Sequence, residues 1–184
     1  FTSRKTVGVD AMADGKRSVT MLGTPVQLEG TPVVEGDTAP DFELAGNDLS
    51  PVRLADFAGK NVLLLAVPSL DTEVCDREAR EFNSKAAELG ESVVVLVVSM
   101  DLPFAQQRWC GGNGIDRVVA LSDYRTAEFG RSYGVLMPDA RLLARAVWVL
   151  DKDRTVRHHE LVSEIADEPD YESALNAVRS LVSA

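Results

Sequence analysis

Two uninterrupted apolar runs of six residues, 62–67 and 93–98, stand out from a chain that elsewhere mixes polar and apolar positions, and they predict buried strands over 62–67 and 93–99. Between them Cys75, Ala79, Phe82, Ala86 and Leu89 recur at spacings of four, three, four and three. That spacing places them on one face of a helix over 71–89, with Asp76, Arg77, Glu81 and Lys85 elsewhere. The apolar face should pack on the sheet, giving a βαβ unit. A helix over 104–109, stopped by Gly111-Gly112, a strand over 118–121 and a helix over 126–131 follow. Extended runs at 144–150 and 155–162, joined by 151–154, predict an antiparallel hairpin before a final helix over 171–182. Upstream, 19–22 and 26–28 form a hairpin signal broken by Gly23, Thr24 and Pro25, and short strands are expected at 42–44 and 52–54. Residues 4–17 are polar and lack clear periodicity, so they are left outside the fold. Residues 1–17 are expected to be a flexible extension and 18–184 a single domain.

The element order is βαβ, then αβα, then ββα. It is the order of a thioredoxin-like α/β fold: a central mixed β-sheet flanked by helices, here with an N-terminal β-hairpin extension and an added βα insertion. Fold alone does not assign a function. Composition narrows the field: with 45% hydrophobic and 26% charged residues, 184 residues suit one compact domain better than disorder or two domains. The formal charge of −10, without a basic stretch, makes nucleic acid and anionic membrane surfaces poor partners. No apolar run approaches the roughly 18 residues that span a bilayer. The opening residues carry no secretory-signal pattern, and a cytoplasmic address is expected.

Two cysteines, Cys75 and Cys110, are too few for a disulfide framework, so their chemistry should be reactive. Cys75 lies in the first turn of its helix, where unpaired N–H groups and the dipole favour a thiolate; equally, it begins the apolar stripe and fits a small core residue. Arg145 interrupts the apolar run 142–150, where an unpaired guanidinium would be costly. An anion should therefore sit beside it, either a structural Asp or Glu or a thiolate. Cys110 follows Cys75 by 35 residues, too far for a CxxC motif or a single zinc knuckle. Between Trp109 and Gly111-Gly112 it ends its own helix, as a mobile partner for another sulfur or as a half-buried helix-end residue. His158 and His159, adjacent on a strand, point to opposite faces and do not readily share a metal. Residues 151–154 read as a turn, not a calcium loop, and no Walker A or GxGxxG sequence occurs.

Taken together, Pro68-Ser69-Leu70-Asp71-Thr72-Glu73-Val74-Cys75, Asp101-Leu102-Pro103-Phe104-Ala105-Gln106, Trp109-Cys110-Gly111, Ala127-Glu128-Phe129, Ala144-Arg145-Ala146-Val147 and Glu168-Pro169-Asp170-Tyr171 resemble the bacterial thiol peroxidase branch of the peroxiredoxins, an atypical two-cysteine type. The resemblance runs from about Val19 to Leu181. It implies that Cys75 is the peroxidatic and Cys110 the resolving cysteine, that Thr72 and Arg145 are the polar partners of the peroxide, and that Pro68 shields the pocket. It implies further an intrachain Cys75–Cys110 disulfide, thioredoxin as reductant, a homodimer, and neither cofactor nor metal. Residues before Ser18 lie outside the resemblance. Other readings weighed against it are a dithiol oxidoreductase, which lacks its CxxC pair, a peroxide-sensing relay without sustained turnover, and a non-catalytic thioredoxin-like binding module.

Overall fold

The computed structural model describes residues 11–13, 16–112 and 114–183. Its elements run β1 (Ala11–Ala13), β2 (Lys16–Met21), β3 (Thr24–Gln27), β4 (Glu43–Ala45), β5 (Pro51–Arg53), β6 (Asn61–Ala66), α1 (Glu73–Leu89), β7 (Val93–Ser99) and α2 (Pro103–Gly112). Then follow β8 (Val118–Ser122), α3 (Glu128–Ser132), β9 (Leu136–Met137), β10 (Leu142–Leu143), β11 (Ala146–Leu150), β12 (Val156–Leu161) and α4 (Tyr171–Val182). Among the described residues, seven strands form one mixed sheet in the order β12-β11-β6-β7-β8-β4-β5. Strands β6, β7 and β8 pair in parallel, and β11 joins β6 antiparallel.

The central strands read as continuous apolar runs because both faces of the sheet are covered. Val62, Leu64 and Ala66 of β6 pack on one side with Trp148, Phe129, Tyr133 and Val33. Leu63, Leu65 and Val67 pack on the other with Cys75, Ala79 and Phe82 of α1 and with Leu175 and Val178 of α4. The stripe that defined α1 is therefore its contact with the sheet, and Cys75 is the stripe's first member. On the opposite side Tyr133 stacks on Phe129 with ring centroids 4.4 Å apart and meets Trp148 edge-on at 5.2 Å. No helix among the described residues is long and apolar enough to cross a membrane.

Three features differ from the sequence-based expectation. The run 142–150 is not one strand: Leu142–Leu143 pairs with Leu136–Met137 in a small separate hairpin, and the sheet strand begins only at Ala146. Arg145 thus sits at the entry to β11 and does not interrupt it. Helix α2 runs through Gly111-Gly112 instead of stopping before them. Residues 11–13 and 16–17, left outside the fold by their polarity, belong to a three-stranded sheet with β3. Arg17 is tied to the domain by its side chain, which donates to Gly134 O at 2.6 Å, and by its carbonyl, which accepts from Leu28 N. The expected flexibility of residues 1–10 falls outside the described residues.

One carboxylate anchors the hairpin turn. Glu164 accepts from Thr20 Oγ1 at 2.6 Å, Leu22 N at 2.9 Å, Gly23 N at 3.0 Å and Ala166 N at 3.1 Å. Leu22 and Gly23 both have positive φ, 49° and 82°, as a tight two-residue turn demands. The Thr20 hydroxyl, followed by the Gly23, Ala166 and Leu22 amides, holds the Glu164 pKa down to about 2. A depressed folded-state pKa stabilises the protein above the ordinary value of 4.5, and the contribution disappears as pH falls towards 2. Glu164→Gln should therefore melt below the unmodified chain at pH 7, with the difference closing as the pH is lowered. Thermal melts of both proteins across that range check this; a difference that widens in acid would contradict the hairpin anchor.

Candidate active site

The site forms where the β6–α1 loop meets the start of β11. Pro68 is buried and leads out of β6, and Thr72 is the N-cap of α1 with an extended backbone, φ −122° and ψ 150°. A threonine in this position usually caps the first turn with its own oxygen. Here it makes no side-chain cap: its hydroxyl turns back to donate to Ser69 O at 2.8 Å. The first-turn N–H groups are left without that competitor. Cys75 is the third residue of the helix and is 0% exposed. It therefore lies near the positive end of the helix dipole.

Arg145 approaches from the strand side. Along β11 alternate residues share a face, and Val147 and Val149 face α1 and α4, so Arg145, two residues earlier, faces α1 as well. Its guanidinium is all but buried and its donors are distributed among three acceptors. Nη2 donates to Cys75 Sγ at 3.2 Å, Nη1 pairs closely with Glu78 Oε2, and Nε donates to Ile165 O at 3.1 Å. The backbone is fixed too, because the Arg145 carbonyl accepts from Val162 N at 3.0 Å. The sequence left the guanidinium's partner open between a carboxylate and the cysteine; it has both. Burial weakens the charge on Arg145, but Glu78 and Cys75 outweigh that and raise its pKa.

Glu78 is the residue that sequence reasoning missed. It is fully buried, and burial pushes its carboxyl up to about 7 against the opposing pull of Arg145. Its Oε1 has no hydrogen-bond partner among the described residues. The legible signal was its place three residues after Cys75, an acidic group on the helix face that otherwise carries the apolar stripe. Alongside it, the Tyr171 ring packs on Phe82 at 5.1 Å, which joins α4 to α1, and the Tyr171 hydroxyl donates to Glu168 at 3.1 Å.

Cys110 comes from another helix and packs against the edge of the apolar cluster that contains Cys75. Both cysteines are free thiols, and Cys110 is half-buried near the end of α2. Burial raises its pKa, and a hydrogen bond from the Asn47 side chain partly offsets the rise. The neighbouring Trp109 ties this end of α2 to α1, its indole N–H donating to Asp76 Oδ1 at 2.7 Å. Asp76 also receives Arg80 Nε at 2.8 Å. The residue after one cysteine thus holds the residue before the other. His159 stacks on Trp148 with centroids 5.3 Å apart, placing it in the aromatic core away from the cysteines. A cavity of about 270 Å³ lined by Leu54, Lys60, Val62 and Arg154 lies at the other end of β6 and takes no part in this arrangement.

Known proteins resemble this chain over most of its length. The sequence profile of the Redoxin family matches residues 34–175. The thiol peroxidase of Staphylococcus aureus (strain MRSA252) is 52% identical over 163 residues, covering 89% of this chain and 98% of that protein. The thiol peroxidase of Oceanobacillus iheyensis is 49% identical over 159 residues, 86% of this chain and 96% of its own. Among solved structures, the peroxiredoxin-like protein from Aquifex aeolicus superposes with a TM-score of 0.83 at 40% identity, over 89% of this chain and 96% of that one. The thiol peroxidase from Chromobacterium violaceum shares the fold, with a TM-score of 0.80 at 19% identity over 89% of this chain and 95% of its own.

The buried pair makes a pH-dependent prediction. In Arg145→Ala the Glu78 carboxyl loses its cation, which raises a pKa that burial has already raised. A raised folded-state pKa stabilises below the ordinary value of 4.5 and loses that contribution as pH climbs through the folded value. The variant should be less stable than the unmodified chain by about 3 kcal/mol at pH 8, with the deficit shrinking towards pH 5 as Glu78 takes up a proton. Denaturant unfolding at the two pH values measures this; a deficit independent of pH would remove Glu78 as the structural partner.

Proposed function

The chain belongs to the redoxin family, as a peroxiredoxin with thiol peroxidase activity, and on that premise we propose that Cys75 is the sulfur that attacks peroxide. The observation that carries this reading is the Arg145 guanidinium 3.2 Å from the Cys75 sulfur at the first turn of α1. The Cys75 thiolate attacks one oxygen of the peroxide and the O–O bond breaks. The attacked oxygen stays on sulfur as a sulfenic acid, and the other leaves as water or an alcohol after taking up a proton. Cys110 of the same chain then displaces the sulfenic oxygen as water and forms a disulfide with Cys75. An external dithiol, thioredoxin in this reading, reduces the disulfide and is itself oxidised. Hydrogen peroxide and organic hydroperoxides are the substrate class, and Pro68 shields the pocket.

Thiol acidity by itself does not make such a reaction fast. Lowering a thiol pKa from ~8.5 by about two units raises the thiolate fraction at neutral pH from roughly 3% to roughly 75%. A Brønsted coefficient of ~0.4–0.5 returns about 6- to 10-fold of that as lost nucleophilicity, so the net gain is only a few-fold. The larger contribution must come from donors that meet charge on the departing oxygen, each able to contribute ~3–4 kcal/mol. Arg145 is the group placed for that work: Glu78 and Ile165 O hold it, so it need not reorganise as the bond breaks. Thr72 complements it on the peroxide's hydroxyl.

Disulfide formation demands movement, because bridged Cα atoms must come within about 7 Å and Cys75 is sealed beneath the sheet-facing side of α1. The end of α2, terminating in two glycines and held by Trp109 to Asp76, is the segment that opens. A cytoplasmic homodimer is the setting that goes with this reading. The exposed Leu102 and Phe104 at the start of α2 offer an apolar surface for the second copy.

Peroxide-dependent oxidation of reduced thioredoxin, run with several peroxides, tests the whole cycle. Cys75→Ser should abolish turnover, whereas Cys110→Ser should consume one equivalent of peroxide and then stop; a normally active Cys75→Ser protein would overturn the assignment. Trp109→Phe keeps an aromatic ring but removes the indole N–H that holds Asp76. It should speed disulfide formation after a single peroxide event about threefold, read by rapid-quench thiol titration. Slower closure would mean that the bond guides Cys110 instead of restraining it.

A further inference from the structure

Asp101 lies two residues beyond the end of β7, and its carboxylate gathers donors from three places. Ser69 Oγ donates to Oδ1 at 2.6 Å, while Leu70 N at 2.8 Å and Ser99 Oγ at 2.6 Å donate to Oδ2. Two of these, Ser69 and Leu70, belong to the loop between β6 and α1. The direction of each proton follows from the neighbours. Gln106 is buried in α2 and donates Nε2 to Ser99 Oγ at 3.0 Å and to Leu121 O at 2.8 Å. With its oxygen already accepting from Gln106, Ser99 commits its own proton to Asp101. The main-chain carbonyl of Asp101 accepts from the Ser122 hydroxyl, which fixes the residue against β8. The carboxylate is therefore anchored from behind before it holds the loop in front.

The consequence reaches Thr72 through one residue. Ser69 gives its hydroxyl proton to Asp101, accepts from Asp71 N at 3.2 Å on the same oxygen, and presents its carbonyl to the Thr72 hydroxyl at 2.8 Å. Thr72 thereby commits its only side-chain proton away from the peroxide, and its oxygen remains free as an acceptor. We infer that Asp101 is a positioning residue for the peroxide step: by anchoring Ser69 and Leu70 it orients the Thr72 hydroxyl oxygen as an acceptor for the O–H of the peroxide. Arg145 can only donate and Thr72, so oriented, can only accept. The pair consequently distinguishes the oxygen that keeps its proton from the oxygen that leaves. Asp101 touches neither the sulfur nor the substrate and acts through the loop alone. The inference rests on Cys75 being the attacking sulfur.

The test compares two reactions of the same sulfur in the full chain. Oxidation of Cys75 by hydrogen peroxide, followed by rapid quench and mass spectrometry, needs an aligned O–O bond; alkylation of Cys75 by iodoacetamide needs a thiolate but no such alignment. Asp101→Asn should lower the peroxide rate about tenfold or more and leave alkylation within about twofold, because a misaligned reactant loses rate without loss of the nucleophile. A merely structural loss would expose the buried sulfur and speed alkylation, and that outcome overturns the inference, as does a peroxide rate equal to that of the unmodified chain. Should Asp101→Asn fail to fold, Ser69→Ala removes the hydroxyl that ties Ser69 to Asp101, leaving the carbonyl that faces Thr72 without that anchor, while the Leu70 and Ser99 bonds to Asp101 remain. It should slow the peroxide step about threefold with alkylation unchanged, and an unaltered peroxide rate in it likewise overturns the inference. Oxidation of the unmodified chain at Cys110 in place of Cys75 would instead refute the assignment of the attacking sulfur.

Discussion

The arrangement depends on a single buried guanidinium. Arg145 is removed from water, and a charge in that position persists only when its protons find acceptors in the protein. Glu78, Ile165 O and Cys75 supply them, from a helix, a loop and the first turn of that same helix. The ion pair is poor grounds for expecting extra stability, since desolvation offsets much of the attraction between its members. Its worth lies in orientation. With two sides of the planar fork held by groups that do not react, the third side faces the sulfur in a fixed geometry.

The supports extend outward from that fork in two directions. Behind it, Ile165 O accepts from Arg145 while Ile165 N donates to Thr20 O at 2.8 Å, so the N-terminal hairpin backs the loop that holds the arginine. Glu164 pins the hairpin's turn to that loop. On the other side, Asp101 holds the loop that carries Thr72. The two polar partners proposed for peroxide are thus braced independently, one through β12 and the hairpin, the other through the end of β7.

Burial and turnover make opposing demands here. Complete burial of Cys75 keeps water from competing for the guanidinium's donors, yet it also encloses the sulfur that a second cysteine must reach in the proposed cycle. The second cysteine is half-buried, near a helix end that finishes in glycines and is held by a hydrogen bond to the half-buried Asp76 on α1. Such an end opens at lower free energy than the strands beneath it. In the proposed cycle rigid and yielding parts accordingly occupy different elements: Cys75, the proposed attacking sulfur, is fixed on α1 against the sheet, and Cys110, its proposed partner, rides on α2.

What the sequence determined by itself was short-range. Six-residue apolar runs marked β6 and β7, the four-three spacing marked the buried face of α1, and the helix over Tyr171–Val182 coincided with its predicted span. The position of Cys75 in a first helical turn was legible for the same reason, since strand exit, Thr72 and helix start are neighbours in the chain. Tertiary structure decided which groups meet. Arg145 lies 67 residues from Glu78 and 70 from Cys75, and no local pattern ranks one acidic side chain above another at such separations. The 142–150 run likewise looked continuous, because its division between two sheets depends on pairing with Leu136–Met137 rather than on its own composition. The Asp101 brace was hidden for a related reason: a carboxylate in a polar loop resembles any solvated one until the loop it holds is folded against it. Periodicity and capping are properties of adjacent residues, whereas the partner of a buried charge is chosen by the closing of the chain.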